Sequence, residues 1–273
     1  MYILIPVLVL AVIALVCALI LTVSDALFGV KEDERAIAVR DALPGANCGA
    51  CGYSGCDGYA KALASGECDN PSLCVPGGDG VAKEVGEIMG LAAGDVVEKV
   101  AYVACNGSCL PSERKYVYDG TKTCLAANMS YAGDRDCTFA CLGYGDCMKV
   151  CPRNAISLNT ERCIAEIDPR KCIGCGLCVK ECPNGIISLI NDTSRVVVKC
   201  SSHDKGAQVR KVCSNGCIGC GKCEKSCPEG AIKVENNLAT IDYEKCTGCG
   251  TCHDVCPVKC IHSGNFICGA HFE

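Results

Sequence analysis

Lys171-Cys172-Ile173-Gly174-Cys175-Gly176-Leu177-Cys178, followed by Cys182-Pro183, is the stretch on which the reading of this chain turns. It recurs as Gly216-Cys217-Ile218-Gly219-Cys220-Gly221-Lys222-Cys223 with Cys227-Pro228, and again as Lys245-Cys246-Thr247-Gly248-Cys249-Gly250-Thr251-Cys252 with Cys256-Pro257. A stretched fourth copy runs Cys137-x3-Cys141-x5-Cys147-x3-Cys151-Pro152. Three thiols within seven residues can wrap one face of a compact metal core, and the glycines let backbone amides approach the sulfurs. A single C-x2-C could hold zinc or act as a redox dithiol, but three full runs, each closed by Cys-Pro, suit neither. A β-like run follows each Cys-Pro, at Asn154–Ile156, Asn184–Ile186 and Glu229–Ile232, and strand-prone stretches lie at Arg195–Lys199 and Ala239–Tyr243.

The C-x2-C-x2-C-x3-C-P run resembles the bacterial ferredoxin signature, whose fourth cysteine ligates the other cluster of a pair. On that rule Cys217, Cys220 and Cys223 share a cluster with Cys256, and Cys246, Cys249 and Cys252 share one with Cys227. Cys172, Cys175 and Cys178 go with Cys151, and the stretched set Cys137, Cys141 and Cys147 goes with Cys182. Two pseudo-symmetric halves of strand, cluster loop, helix and strand make one ferredoxin-like unit. Four runs therefore predict two tandem units, over 137–190 and 213–273, joined by a connecting segment 191–212 that carries Cys200.

Upstream, Cys48-x2-Cys51-x4-Cys56-x17-Cys74 has a spacing of its own and predicts a single 4Fe–4S cluster in a small α-rich domain over 29–90. A four-thiolate zinc site is the competing reading, and the glycine-rich Gly49–Gly55 favours the cluster because its amides can turn toward sulfur. Glu32–Leu43 reads as a short polar helix, and Val81–Lys99 as one helix or two interrupted at Gly90 and Gly94. A middle segment, 91–136, follows. Cys105, Cys109, Cys124, Cys200 and Cys213 belong to no standard run. Four of them could hold a further cluster, the preferred set being Cys105, Cys109, Cys200 and Cys213, and the competing reading is inert buried thiols. Cys68, Cys163, Cys260 and Cys268 read as bystanders, with Cys268 a further candidate ligand. The expected load is about six [4Fe–4S] clusters. His203, His253, His262 and His271 read as surface or loop residues. Lys205, Arg210 and Lys211 form a basic group that reads as a solvated face or as a dock for an acidic ferredoxin.

Of 273 residues 30 are cysteine and none is tryptophan. So much cysteine suggests a disulfide scaffold in a short secreted chain, but this chain is long and its thiols fall in ligand runs. A net charge of −5 argues against nucleic acid as a partner. From Met1 to Ser24 no residue is charged, which is long enough to cross roughly 30 Å of hydrocarbon. A basic start and a small-residue cleavage site are missing, so 1–28 is expected to be an uncleaved single-pass anchor in membrane lipid, with Cys17 a small apolar residue in it. Thiolates stay available for iron only in a reducing compartment, which puts the cluster domains on the cytoplasmic face of the membrane. The fold class is α+β.

The anchor, the Cys48–Cys74 spacing closed by Val75-Pro76-Gly77-Gly78, Val103-Ala104-Cys105-Asn106-Gly107, Cys200-Ser201-Ser202-His203-Asp204-Lys205-Gly206 and the ferredoxin runs together resemble the B subunit of the Rnf complex over essentially the whole chain. The resemblance implies a protein that takes electrons from soluble ferredoxin, or returns them. It would relay them to membrane and peripheral partner subunits that carry flavins and an NAD site, in a complex that couples the redox span to Na+ or H+ movement. The chain shows no G-x-G-x-x-G after a strand, no P-loop and no flavin attachment site, and its apolar helix carries no charge for an ion path. It is expected to conduct electrons only. The rival readings are a tethered polyferredoxin subunit of a hydrogenase or redox-sensor-reducing system, and a metal-storage or assembly protein.

Overall fold

The computed structural model describes residues 4–28, 33–107, 114–159, 161–193 and 196–263. Helix α1 (Leu4–Phe28) has 25 residues, or ~37 Å at the α-helical rise. Among the described residues it is the one helix long and apolar enough to cross a membrane, and its large apolar side chains from Ile5 to Val23 are exposed.

Three helices form the small domain that follows: α2 (Glu34–Ala42), α3 (Cys56–Ser65) and α4 (Gly78–Met89). Asp33 caps α2 by accepting from the Arg35 amide at 2.9 Å, which satisfies one of the free donors of the first turn. Val39, Tyr59, Leu63 and Val85 close the core between the helices. Helix α4 begins at Gly78, where Pro76 opens a 3-10 turn (Val75–Gly77) leading straight into it. It stops at Gly90, whose φ of 67° is the left-handed cap glycine adopts freely. No second helix continues to Lys99; residues 91–98 are irregular.

Beyond lie four two-stranded antiparallel pairs. Strand β1 (Lys99–Val103) pairs with β4 (Ile187–Asn191), and between them in sequence lies the hairpin β2 (Ile156–Asn159) with β3 (Ile164–Ile167). The pattern repeats: β5 (Val196–Val198) pairs with β8 (Ile261–Ser263) around the hairpin β6 (Ile232–Glu235) with β7 (Leu238–Ile241). Two differences from the sequence reading follow. Strands start at Ile156, Ile187 and Ile232, after a left-handed residue (Asn154, Gly185 or Gly230) that turns the chain behind each Cys-Pro. And β1 and β5 lie upstream of the expected units, in the segments 91–136 and 191–212, because a short outer strand shows its partner only once the chain has folded back.

Short helices carry the thiols: α5 (Cys124–Met129), α6 (Asp146–Lys149), α7 (Leu177–Glu181), α8 (Gly206–Val212), α9 (Lys222–Ser226) and α10 (Thr251–Asp254). Cysteine is part of the cores, Cys141, Cys147 and Cys178 packing with Val103, Ile156, Ile164 and Ile187. The loop before α7 lies against β1 so closely that a Cβ on Gly174 (φ +64°) would stand 2.5 Å from the Lys99 carbonyl oxygen.

Candidate metal centres

In the small domain Cys48 and Cys51 lie on the loop before α3, Cys56 opens α3, and Cys74 precedes the 3-10 turn. Asn47 Oδ1 accepts from the Cys56 amide at 2.9 Å and pins that loop to the helix start. Burial pushes the Cys74 thiol up to about 11, and Cys56, Cys48 and Cys51 push it the same way, so all four share one locus. Cys68 is buried beside it, with Sγ 3.6 Å from the Asn70 carbonyl oxygen.

Two cavities match the crossed pairing in full. One is lined by Cys151, Cys172, Cys175 and Cys178 among apolar side chains. The other is lined by Cys227, Cys246, Cys249 and Cys252. In each the amide after the Cys-Pro turn donates to the crossing sulfur, Ala155 to Cys151 Sγ and Ala231 to Cys227 Sγ, both at 3.3 Å. Cys217, Cys220, Cys223 and Cys256 also gather: burial pushes Cys223 up to about 11, with the other three adding to the rise.

The stretched run behaves differently. The cavity that holds Cys141, Cys147 and Cys182 is completed by Cys124, not Cys137. Helix α5 is brought there by side chains far from it in sequence. Asp146 Oδ2 accepts from the Leu125 amide at 3.2 Å, and Asn128 Nδ2 donates to Asn184 Oδ1 at 2.6 Å. Asn184, two residues after Cys182, also donates to the Ala140 carbonyl at 2.7 Å. Thr123 caps α5 by accepting from the Ala126 amide at 3.1 Å, so Cys124 is the first residue of a helix held on both sides. The sequence offered one signal: only Cys147-x3-Cys151-Pro152 keeps the normal spacing, so the earlier members of that run were open to replacement.

Cys137 lies instead in a cavity with Cys105, Cys200 and Cys213. Of the expected set Cys105, Cys109, Cys200 and Cys213, three line this cavity together with Cys137, and Cys109 falls outside the described residues. The four converge because the chain segments are tied directly. Ser201 Oγ donates to the Ala104 carbonyl at 2.9 Å, and Asn215 Nδ2 to the Asn106 carbonyl at 3.1 Å. Helix α8, which ends at Cys213, packs so tightly that a Cβ on Gly206 would lie 2.4 Å from the Ile218 carbonyl oxygen.

This cavity touches a neighbour on either side. The Cys141 amide donates to Cys105 Sγ at 3.5 Å, and the Cys217 amide donates to Cys200 Sγ at 3.2 Å. At the other end Lys180 Nζ donates to the Cys48 carbonyl at 3.0 Å, and the Cys48 and Cys175 thiols act on each other electrostatically. Charge differs along the way. Lys199, 3% exposed, lines the Cys105 cavity, whereas buried Asp146 and exposed Glu181 line the Cys124 cavity.

Burial pushes the Cys137, Cys141, Cys147 and Cys178 thiols up to about 12. Iron held by these thiols would have to displace their protons, and its charge would compensate the buried thiolates. The donor sets fit a cubane: four thiols, an apolar lining and amides aimed at sulfur. Among the described residues no three donors draw close enough for a single ion. Of the histidines, His203 is exposed, but His262 lies half-buried in β8, contrary to the surface reading; His271, like Cys268, lies outside the described residues. Lys205, Arg210 and Lys211 are exposed.

Three family models match: a 4Fe-4S dicluster domain over 210–263, the FeS model, for an Fe-S cluster segment, over 43–76, and a 4Fe-4S binding domain over 165–188. Among curated relatives, the B subunit of the Na(+)-translocating ferredoxin:NAD(+) oxidoreductase complex of Acetobacterium woodii is 44% identical, over 95% of this chain and 77% of its own length. The B subunit of the proton-translocating ferredoxin:NAD(+) oxidoreductase complex of Clostridium ljungdahlii is 42% identical over 86% of this chain and 82% of its own length. The B subunit of the ion-translocating oxidoreductase complex of Methanosarcina acetivorans is 38% identical, over 82% and 84% respectively.

Proposed function

The chain belongs to the family of B subunits of ion-translocating ferredoxin:NAD(+) oxidoreductase (Rnf) complexes, and from that premise we propose that it is the complex's membrane-anchored electron wire. It carries electrons between reduced ferredoxin and the partner subunits that hold flavin and NAD sites, while the complex moves Na+ or H+. Each of two tandem ferredoxin-like units would hold two [4Fe–4S] clusters. The small domain holds one, and the Cys105–Cys137–Cys200–Cys213 cavity holds a sixth that bridges the units. When bound, each cluster supplies a one-electron couple; the chain supplies thiolates, amide donors and a dry lining.

The observation that carries this reading is the pair of amide-to-sulfur bonds across the bridge, Cys141 to Cys105 and Cys217 to Cys200. They leave no gap between the units. The order that follows runs from the Cys48 group through the Cys175 group, the Cys124 group and the bridge to the Cys217 group, ending at the Cys246 group. Cys220 and Cys249 are the exposed thiols among the assigned ligands, so soluble ferredoxin meets the wire at the second unit. Helix α1 fixes the other end in lipid, with the cluster domains in the reducing cytoplasm.

Anaerobic protein should be brown, with about four iron and four sulfide per site. Cys213→Ser should remove about four of each and stop electrons placed on the second unit from reaching the Cys48 group in stopped-flow traces. Colourless protein with stoichiometric zinc, or unimpeded transfer in Cys213→Ser, would end this reading.

A further inference from the structure

The four Cys-Pro steps end in one shared turn. Asn154, Gly185, Gly230 and Lys259 have φ values of 49°, 61°, 59° and 49°. The next residue in each copy is Ala155, Ile186, Ala231 and Cys260. The same backbone position therefore carries hydrocarbon three times and a thiol once.

That thiol is not idle space-filling. Cys260 is 1% exposed, its Sγ lies 3.7 Å from Cys256 Sγ, and its side chain is hydrogen-bonded to that of Cys217. Cys217 and Cys256 both belong to the group completed by Cys220 and Cys223, so Cys260 is a fifth sulfur wedged between two of its four ligand thiols. Its counterpart in the partner centre is the methyl group of Ala231, which offers no proton.

We propose that Cys260 is a buried S–H donor to a ligand sulfur of the Cys217–Cys220–Cys223–Cys256 centre and raises that centre's reduction potential. Reduction adds negative charge that spreads onto the sulfurs, and a donor aimed at a ligand sulfur favours the reduced form. The rise falls on the centre next to the bridge. This inference rests on the reading that a cluster occupies the Cys217 group.

The test is an electron-paramagnetic-resonance redox titration of the anaerobic full-length protein beside Cys260→Ala, the side chain already accepted at 155 and 231. Expected are unchanged iron and sulfide, one cluster whose reduced-to-oxidised ratio at fixed potential falls about tenfold (about 59 mV for one electron), and unmoved remaining clusters. Cys260→Ser keeps a donor and should fall between the two. Intact clusters with no midpoint moved, or equal shifts from alanine and serine, would overturn the proposal. So would loss of about four iron from Cys260→Ala, since the thiol would then be a ligand. Absence of iron from the wild-type protein is a different outcome, which removes the cluster reading itself.

Discussion

Cys124 and Cys137 stand at the two ends of one short stretch of chain, yet they line different cavities. What separates them is a set of single polar contacts. Asp146 and Asn128 draw the start of α5 against Cys147 and Cys182, while the ties from Ser201 and Asn215 draw 104–107 toward Cys200 and Cys213, where Cys137 also lies. Double substitutions distinguish this arrangement from the one the spacing suggests. Cys124→Ser with Cys182→Ser strikes one centre and should remove about four iron, whereas Cys137→Ser with Cys182→Ser strikes two and should remove about eight. Iron and sulfide assays on the two proteins decide it, and equal losses would restore the grouping read from spacing. Asn184→Ala should loosen the same centre without removing a ligand, seen as faster bleaching in air.

At the scale of elements, the β5–β8 pair carries a titrating group in its seam. His262 stands opposite Val197, and burial first, then the charges of Lys199, His253 and Arg162, hold its pKa down to about 4 from the ordinary 6.5. A depressed histidine pKa means that the fold prefers the neutral ring. Its contribution is complete above about pH 6.5 and is lost as pH falls through about 4. Acid also protonates cluster thiolates, so the informative quantity is a difference between proteins. His262→Phe should lose less thermal stability than wild type between pH 7 and pH 5, measured by melting the cluster absorbance at both values. Parallel losses would show that the ring stays neutral for no structural reason. The outer strands β1 and β5 also show why element boundaries were harder to read than element types. Lys99–Val103 and Val196–Val198 are strands of five and three residues whose partners lie far along the chain.

For the molecule as a whole, α1 and the cluster-bearing remainder answer to different solvents. The helix exposes a continuous apolar surface long enough to cross a bilayer, whereas the rest closes its cores on thiols and β-branched side chains. Deleting residues 1–28 should move the protein from the membrane fraction to the soluble one with its iron content unchanged, scored by ultracentrifugation and iron assay. Persistent membrane association would assign the anchoring to another surface. In the intact protein the Lys180–Cys48 contact seats the small domain against the first unit, so the anchored end of the chain is also the end of the proposed wire.

The ligand runs were legible in local spacing. Spacings of two and three residues between cysteines are short enough for local backbone geometry to place three thiols around one core, so Cys172–Cys178, Cys217–Cys223 and Cys246–Cys252 were legible directly. The apolar 1–24 segment was legible for the same reason, since its property is additive along the chain. Which lone cysteines meet emerged from contacts between distant segments. Cys105, Cys137, Cys200 and Cys213 come from four separate segments, and no local rule relates them. Their convergence depends on side-chain hydrogen bonds and a bare glycine contact that exist once the two repeats of strand pair and hairpin have formed and packed together.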